Sequence, residues 1–366
     1  MNTELFKNDE KAVYNLRSLY RKFGYTQYKM SKFEEYDLYV RNKDFLVSDN
    51  IITFTDTNGK LMALKPDVTL SIIKNTEDVP GTVNKVYYNE NVYRVSGGTQ
   101  AFKEIMQTGL ECIGDIDDYS ICEVLTLAAE SLKNISDDFV LDISHLGVLS
   151  SVIDSLGVSS DAAKKITAAA GEKNVYAIGA ICDAEGVNSE SIKKLVSTYG
   201  SLEKVGPVLD ELSSIPEAEK LKNIVSVLEK SGLKGKVRID FSVINDMNYY
   251  NGFVFKGFVN GVASGILSGG QYDKLMHKMG RKSGAIGFAV YLDLLERLTE
   301  NSKDFDVDVV MLYDETLDME TVKNAVNSLI AGGHTVMAQK QVPSKIRYKQ
   351  LVKITAEGVE TLENNA

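Results

Sequence analysis

The side chains best placed to do chemistry lie within residues 237–298. Tyr249 and Tyr250 stand side by side, and Ser268-Gly269-Gly270-Gln271-Tyr272-Asp273 forms a glycine-rich turn. Apolar and aromatic runs, Val237–Phe241 and Tyr249–Phe258, predict strands on either side of the tyrosine pair. Gly284–Val290 predicts a further strand feeding a helix, Tyr291–Leu298. Strands, a tight glycine turn, then a strand leading into a helix are how an antiparallel sheet carries a small-molecule pocket. On a strand, Tyr249 and Tyr250 point to opposite faces, so one lines a pocket while the other packs. The competing reading is that these tyrosines and glycines only fill a core, since short apolar runs are ambiguous. Metal chemistry finds no support: His145, His277 and His334 form no cluster, and Cys112, Cys122 and Cys182 have no ligand spacing.

The elements that would position such a pocket follow in order. Residues 8–24 predict an amphipathic helix through Val13, Leu16, Leu19, Tyr20 and Phe23, with Gly24 as its stop. A strand over Tyr25–Met30 comes next. Asn58-Gly59 predicts a hairpin turn whose returning strand, Leu61–Leu64, runs into Lys65-Pro66-Asp67-Val68-Thr69. Asp67 and Thr69 are either ligand contacts or caps of the helix that starts at Leu70. Val83–Tyr88 and Asn91–Arg94 predict two strands. A loop at Ser96–Thr99 and a returning strand over Phe102–Gly114 carry the chain back past Gln107 and Glu111. A helix over 119–134 and a strand at Phe139–Ile143 precede a helical stretch, 147–233. The tail, 304–366, predicts strand, helix and strand, then a basic segment with Lys340, Lys345, Arg347, Lys349 and Lys353, taken as a solvated edge.

Composition excludes several classes. The chain has 366 residues, 44% hydrophobic and 25% charged, which suits one large globular domain and a smaller one. A net charge of −10 does not suit a protein whose main task is gripping nucleic acid. No run approaches the roughly 18 apolar residues of a membrane span. The charged N-terminus lacks a signal-peptide core, and three scattered cysteines suit a reducing cytoplasm.

In combination, these motifs resemble the histidyl-tRNA synthetase family and its non-synthetase relatives. The resemblance spans about residues 8–300, with a partial echo to 355. It implies an α+β fold: a class II synthetase-like antiparallel sheet flanked by helices over 1–300. It also implies a helical insertion at about 147–233 and a partial anticodon-binding-like α/β domain at 304–366. It further implies that Asp67 and Thr69 hold the amino group of histidine, that Gln107 and Glu111 read its imidazole, and that Tyr249 and Tyr250 line the pocket. Gly269 and Gly270 would shape its wall. Arg94 matches the arginine that contacts the ATP α-phosphate. Glutamine and glutamate suit an imidazole because each ring nitrogen donates or accepts according to tautomer.

The departures matter as much. Asn245 stands where synthetases carry a catalytic arginine, Asn248 where they carry an aspartate, and Leu294 where an arginine holds the γ-phosphate. Tyr291 replaces a glycine that leaves room for adenine. The loop after Arg94 lacks the usual Glu, Arg and Gly-Arg-x-Arg charges. Phosphoryl displacement needs those cations. This pattern of retention and loss is similar to the family of ATP phosphoribosyltransferase regulatory subunits. That resemblance implies a cytoplasmic, non-catalytic subunit with no cofactor. It would be a homodimer within a hetero-oligomer, pairing with a short-form ATP phosphoribosyltransferase catalytic subunit and taking part in feedback by L-histidine. No tRNA partner is expected. The competing expectations are a divergent histidyl-tRNA synthetase, with Arg297 or another cation replacing the lost arginines, or another synthetase-like paralogue.

Overall fold

The computed structural model describes residues 7–43, 46, 51–96, 101–244, 249–298, 305–355 and 358–365, without the side chains of 296–298. Asn245, Asn248, Gly97 and the Arg297 side chain therefore lie outside the described residues. The chain divides into two compact units, Met1–Leu298 and Thr299–Ala366.

The first unit opens with α1 (Asn8–Lys22), β1 (Thr26–Gln27), β2 (Phe33–Glu35), α2 (Tyr36–Arg41), β3 (Thr53–Thr55), β4 (Leu61–Leu64) and α3 (Thr69–Asn75). It continues with β5 (Val83–Val95), β6 (Phe102–Gly114), α4 (Asp118–Ile135) and β7 (Phe139–His145). The insertion follows as α5 (Leu146–Ser155), α6 (Ser160–Gly171), α7 (Val175–Ala184), α8 (Glu190–Ser197), α9 (Leu202–Glu211) and α10 (Pro216–Leu228). The unit closes with β8 (Val237–Ile239), β9 (Phe253–Val259), β10 (Leu267–Gln271), α11 (Asp273–Lys278) and β11 (Gly284–Tyr291).

An eight-stranded sheet runs β1-β5-β6-β11-β10-β9-β7-β8. Its inner pairs are antiparallel, and the short strands β1 and β8 pair in parallel at its margins. One face is covered by α1, α4 and the insertion, with Leu16, Tyr20, Leu125, Leu132, Phe255 and Phe288 in the core between them. The face position of α1 follows from its apolar spacing: Ala12, Leu16 and Tyr20 recur every four residues and are buried. The other face carries a smaller cluster around Tyr88, Val92, Tyr249 and Tyr272, roofed by α3 and by a three-stranded sheet, β2-β4-β3. Asn58-Gly59 makes the expected hairpin, with the Asp56 carboxylate accepting from the Asn58 and Lys60 amides.

Several expectations change. The two strands at 83–94 are one thirteen-residue strand, β5, because an unbroken ladder to β6 carries it through Asn89 and Asn91. The strand over Tyr25–Met30 shrinks to two residues paired with β5. Tyr249 and Tyr250 precede β9 and do not lie on it. Ser268–Gln271 is not a turn but most of strand β10, paired on both sides. The helix expected at Tyr291–Leu298 is a 3-10 helix, Leu292–Leu298, after a strand that extends through Tyr291.

In the second unit β12 (Val307–Leu312), α12 (Met319–Ala331), β13 (Val336–Gln339), β14 (Tyr348–Thr355) and β15 (Gly358–Asn364) form a sheet ordered β13-β12-β14-β15. Val309, Met311, Val352 and Ile354 pack with Val322, Val326 and Leu329 of α12. Lys349 and Lys353 lie on β14, which pairs with β12 on one side and β15 on the other. They are therefore not on an edge. Among the described residues no helix is long and apolar enough to cross a membrane.

Candidate functional site

The register of the sheet decides which side chains meet. Across antiparallel strands, directly paired residues share a face. Tyr88, Gly109, Ala289 and Ser268 make one such row; Glu111, Gly287 and Gly270 make the next. Gln107 pairs with Tyr291 at the far end. The floor is thus built of small residues at β10 and β11 and of polar residues at β6. Above it lies a cavity of about 280 Å³. Asp67, Thr69, Arg94, Gln107, Glu111, Tyr249 and Tyr250, scattered over more than half of the chain, all line it, together with Tyr88, Ser268, Tyr272, Gly287 and Tyr291.

Two glycines make the floor possible. A Cβ on Gly287 would lie 1.8 Å from Glu111 Oε2, so only glycine leaves room for that carboxyl group. A Cβ on Gly270 would lie 2.6 Å from the Tyr250 ring, which rests on the bare backbone. Gly269 points the other way, against Phe255 and Phe288, and does not shape the cavity wall.

Glu111 is 2% exposed and sits at the acidic end. Thr69 Oγ1 donates to its Oε1 at 2.7 Å and the Tyr272 hydroxyl donates to its Oε2 at 2.5 Å. Burial, resisted by those two hydroxyls, pushes its carboxyl group up to about 8. Asp67 accepts from the Leu70 amide in the first turn of α3 at 3.0 Å and also lines the cavity. Burial raises its pKa, against the backbone amides and the Arg94 charge.

Arg94 lines the cavity as well. Its Nε donates to the Pro66 carbonyl at 3.1 Å. Burial raises the pKa of the Tyr291 phenol, against the nearby Arg94 charge. The ring that the sequence places in the path of an adenine is thus inside the cavity, which Arg94 also lines. Gln107 is 4% exposed, and its Nε2 has no hydrogen-bond partner among the described residues. A buried amide N–H left unpaired costs about 1–3 kcal/mol, so an acceptor on a ligand would be held strongly there.

Tyr249 and Tyr250 both line the cavity, contrary to the expected division of labour. They belong to an irregular segment, so the two-residue alternation of a strand does not separate them. Their rings meet edge to face at 4.6 Å, and Tyr249 lies 5.6 Å from Tyr272. Tyr272 and Gly287 are cavity-lining positions, in contact with Glu111, that residue-by-residue reading missed. Tyr272 was visible as the tyrosine of Gly-Gly-Gln-Tyr-Asp. Gly287 has no signal apart from its partner across the sheet. Leu294 packs against the main core. Among the described residues no three metal-binding side chains converge.

The described geometry agrees with comparison to known proteins. The family model for histidyl-tRNA synthetase matches residues 2–295. An ATP phosphoribosyltransferase regulatory subunit from Caldanaerobacter subterraneus subsp. tengcongensis is 32% identical over 288 residues, covering 76% of this chain and 75% of that one. A crystal structure titled as an ATP phosphoribosyltransferase regulatory subunit/histidyl-tRNA synthetase from Bacillus halodurans superposes with a TM-score of 0.74. It has 21% identity and covers 96% of this chain and 94% of its own. A chain of the ATP phosphoribosyl transferase complex from Thermotoga maritima superposes with a TM-score of 0.62 at 19% identity, covering 78% and 98%. The fold is therefore the class II, histidyl-tRNA synthetase-like one that the motifs implied. Matched over most of its length by that family model, and at this level of identity to a named relative over three-quarters of both chains, the protein belongs to the histidyl-tRNA synthetase-like family of ATP phosphoribosyltransferase regulatory subunits.

Proposed function

We propose that this chain is the non-catalytic regulatory subunit of ATP phosphoribosyltransferase in histidine biosynthesis. It acts in the cytoplasm as a homodimer within a hetero-oligomer. It activates a short-form catalytic subunit and contributes to feedback by L-histidine. In this reading Asp67 and Thr69 take the ammonium group of histidine, Gln107 and Glu111 address its ring, and Tyr249 and Tyr250 wall the pocket. One observation carries the non-catalytic part: the Tyr291 ring lines the cavity, and Arg94, the remaining phosphate-type arginine there, donates its Nε to the Pro66 carbonyl. Transition-state charge stabilisation needs cations aimed at the reacting phosphate, and each lost donor of that kind costs about 10²–10³ in rate.

Activation of a partner requires this subunit to bind one partner conformation better than another. The test mixes the purified chain with a short-form catalytic subunit and follows condensation of ATP with phosphoribosyl pyrophosphate, with and without L-histidine. Stimulation by the chain and inhibition by histidine are expected. Histidine-dependent ATP–pyrophosphate exchange by the chain alone would overturn the assignment in favour of a divergent synthetase.

A further inference from the structure

The acidic end of the cavity contains an imbalance that the ligand assignment leaves unexplained. Two carboxyl groups, Glu111 and Asp67, face one space, and Arg94 is the cationic side chain lining it. Arg94 can balance one negative charge. Among the described residues no lysine or arginine pairs with Glu111; its partners are two hydroxyls. The titratable and charged groups sharing the cavity with Glu111 are Asp67 ahead of α3, Tyr88 and Arg94 on β5, Tyr249 and Tyr250 ahead of β9, Tyr272 after β10 and Tyr291 at the end of β11. Burial holds the phenols of Tyr88, Tyr249 and Tyr272 well above their ordinary range, so they supply dipoles and no charge. A second unbalanced carboxylate in a desolvated space is costly, and the group avoids the cost by keeping its proton.

We propose that the cavity takes an organic ammonium ligand in exchange for a proton: Glu111 is a carboxylic acid in the empty site and a carboxylate in the occupied one. This rests on the reading of the cavity as an amino-acid site and states how that site selects charge. The exchange balances simply. A ligand whose one charge is its ammonium, as in histamine near neutral pH, brings one positive charge to Asp67 and Thr69. Glu111 beside them loses H+ to solvent, and the charge of the cavity is unchanged. L-Histidine brings a carboxylate as well, so the full exchange is expected of the amine. The Thr69 and Tyr272 hydroxyls are already placed to donate to both carboxylate oxygens, so ionisation needs no rearrangement. The direction of the Glu111 shift, caused first by burial, agrees with this geometry. Proton release then makes ligand affinity rise with pH while Glu111 is protonated in the free protein, and level off above that range.

The experiment is calorimetric titration of the full chain with L-histidine and, in parallel, with histamine, which keeps the ammonium but has no carboxylate. Each is run at about pH 7 in buffers of differing ionisation heat, and again over a pH series. The expected result is release of close to one proton per histamine, less per histidine, and a histamine affinity rising up to tenfold per pH unit between about pH 7 and 8. Glu111→Gln should bind more weakly with no proton release and no slope. Histamine binding without proton release overturns the proposal alone, because Glu111 would then be ionised beforehand, keep its proton or pass it to the ligand ring. Failure of histidine with proton-releasing histamine binding goes against the histidine-sensor reading and supports the exchange. Failure of both ligands overturns both.

Discussion

Tyr272 donates its hydroxyl to Glu111 Oε2 over 2.5 Å, joining two buried residues 161 positions apart. The bond ties the end of β10 to the middle of β6 through β11, so the acidic end of the cavity exists only when three strands are in register.

Tyr272→Phe removes that donor and keeps the ring packing. The loss should cost about 1–3 kcal/mol, the usual penalty for a buried group deprived of a partner. Urea denaturation measures it. Because the hydroxyl favours the ionised carboxyl group, the same change should push Glu111 further up and weaken ligand binding near neutral pH. An unchanged midpoint and affinity would contradict the arrangement.

Gly287→Ala tests the floor. Its new Cβ would collide with Glu111 Oε2 and come within 2.5 Å of the Leu110 carbonyl. Because one neighbour is backbone, relaxation is limited. Overpacking of this kind typically costs about 1–3 kcal/mol. Histidine binding should be lost in calorimetry even in preparations that remain folded by circular dichroism.

The Lys65–Glu90 ion pair, 2.5 Å long with the lysine side chain 1% exposed, ties the end of β4 to β5. Lys65→Met should destabilise the first unit by about 3–5 kcal/mol, since it leaves a partly buried carboxylate without its partner. Adding Glu90→Gln should recover much of that loss. A double-mutant cycle from denaturation midpoints separates the pair from its packing.

Two buried groups give the stability profile opposite slopes. Glu111 binds its proton more tightly when folded, so its contribution is fully present below its ordinary value of 4.5 and is lost as pH rises through about 8. The slope is at most about 1.4 kcal/mol per pH unit, and Glu111→Gln should remove it. His145 is the reverse case. Burial lowers it to about 4, and its Nδ1 accepts from the Gly147 amide at 3.1 Å to cap α5. Its contribution is present above its ordinary value of 6.5 and is lost as pH falls through about 4. His145→Asn, which keeps a capping acceptor, should flatten the acid limb of a denaturation series.

The sequence by itself determined the family, the broad order of the elements and part of the cavity lining: Asp67, Thr69, Arg94, Gln107, Glu111, Tyr249 and Tyr250. Those properties are local: a Lys-Pro-Asp-x-Thr run, a Gly-Gly-x-Tyr-Asp run, and alternating apolar segments between turns. It also showed which phosphate-binding charges are missing, because a charge is present or absent whatever the fold. Tertiary structure decided how those residues work. Strand register set Gly287 under Glu111 and Tyr291 beside Gln107, and register is a long-range property no single segment carries. Pairing on both sides turned a glycine-rich stretch that reads as a turn into β10, whose bare backbone Tyr250 covers. An irregular segment before β9 let both tyrosines face the cavity. The charge state of Glu111 is decided the same way, since desolvation depends on what the rest of the chain places around a carboxyl group.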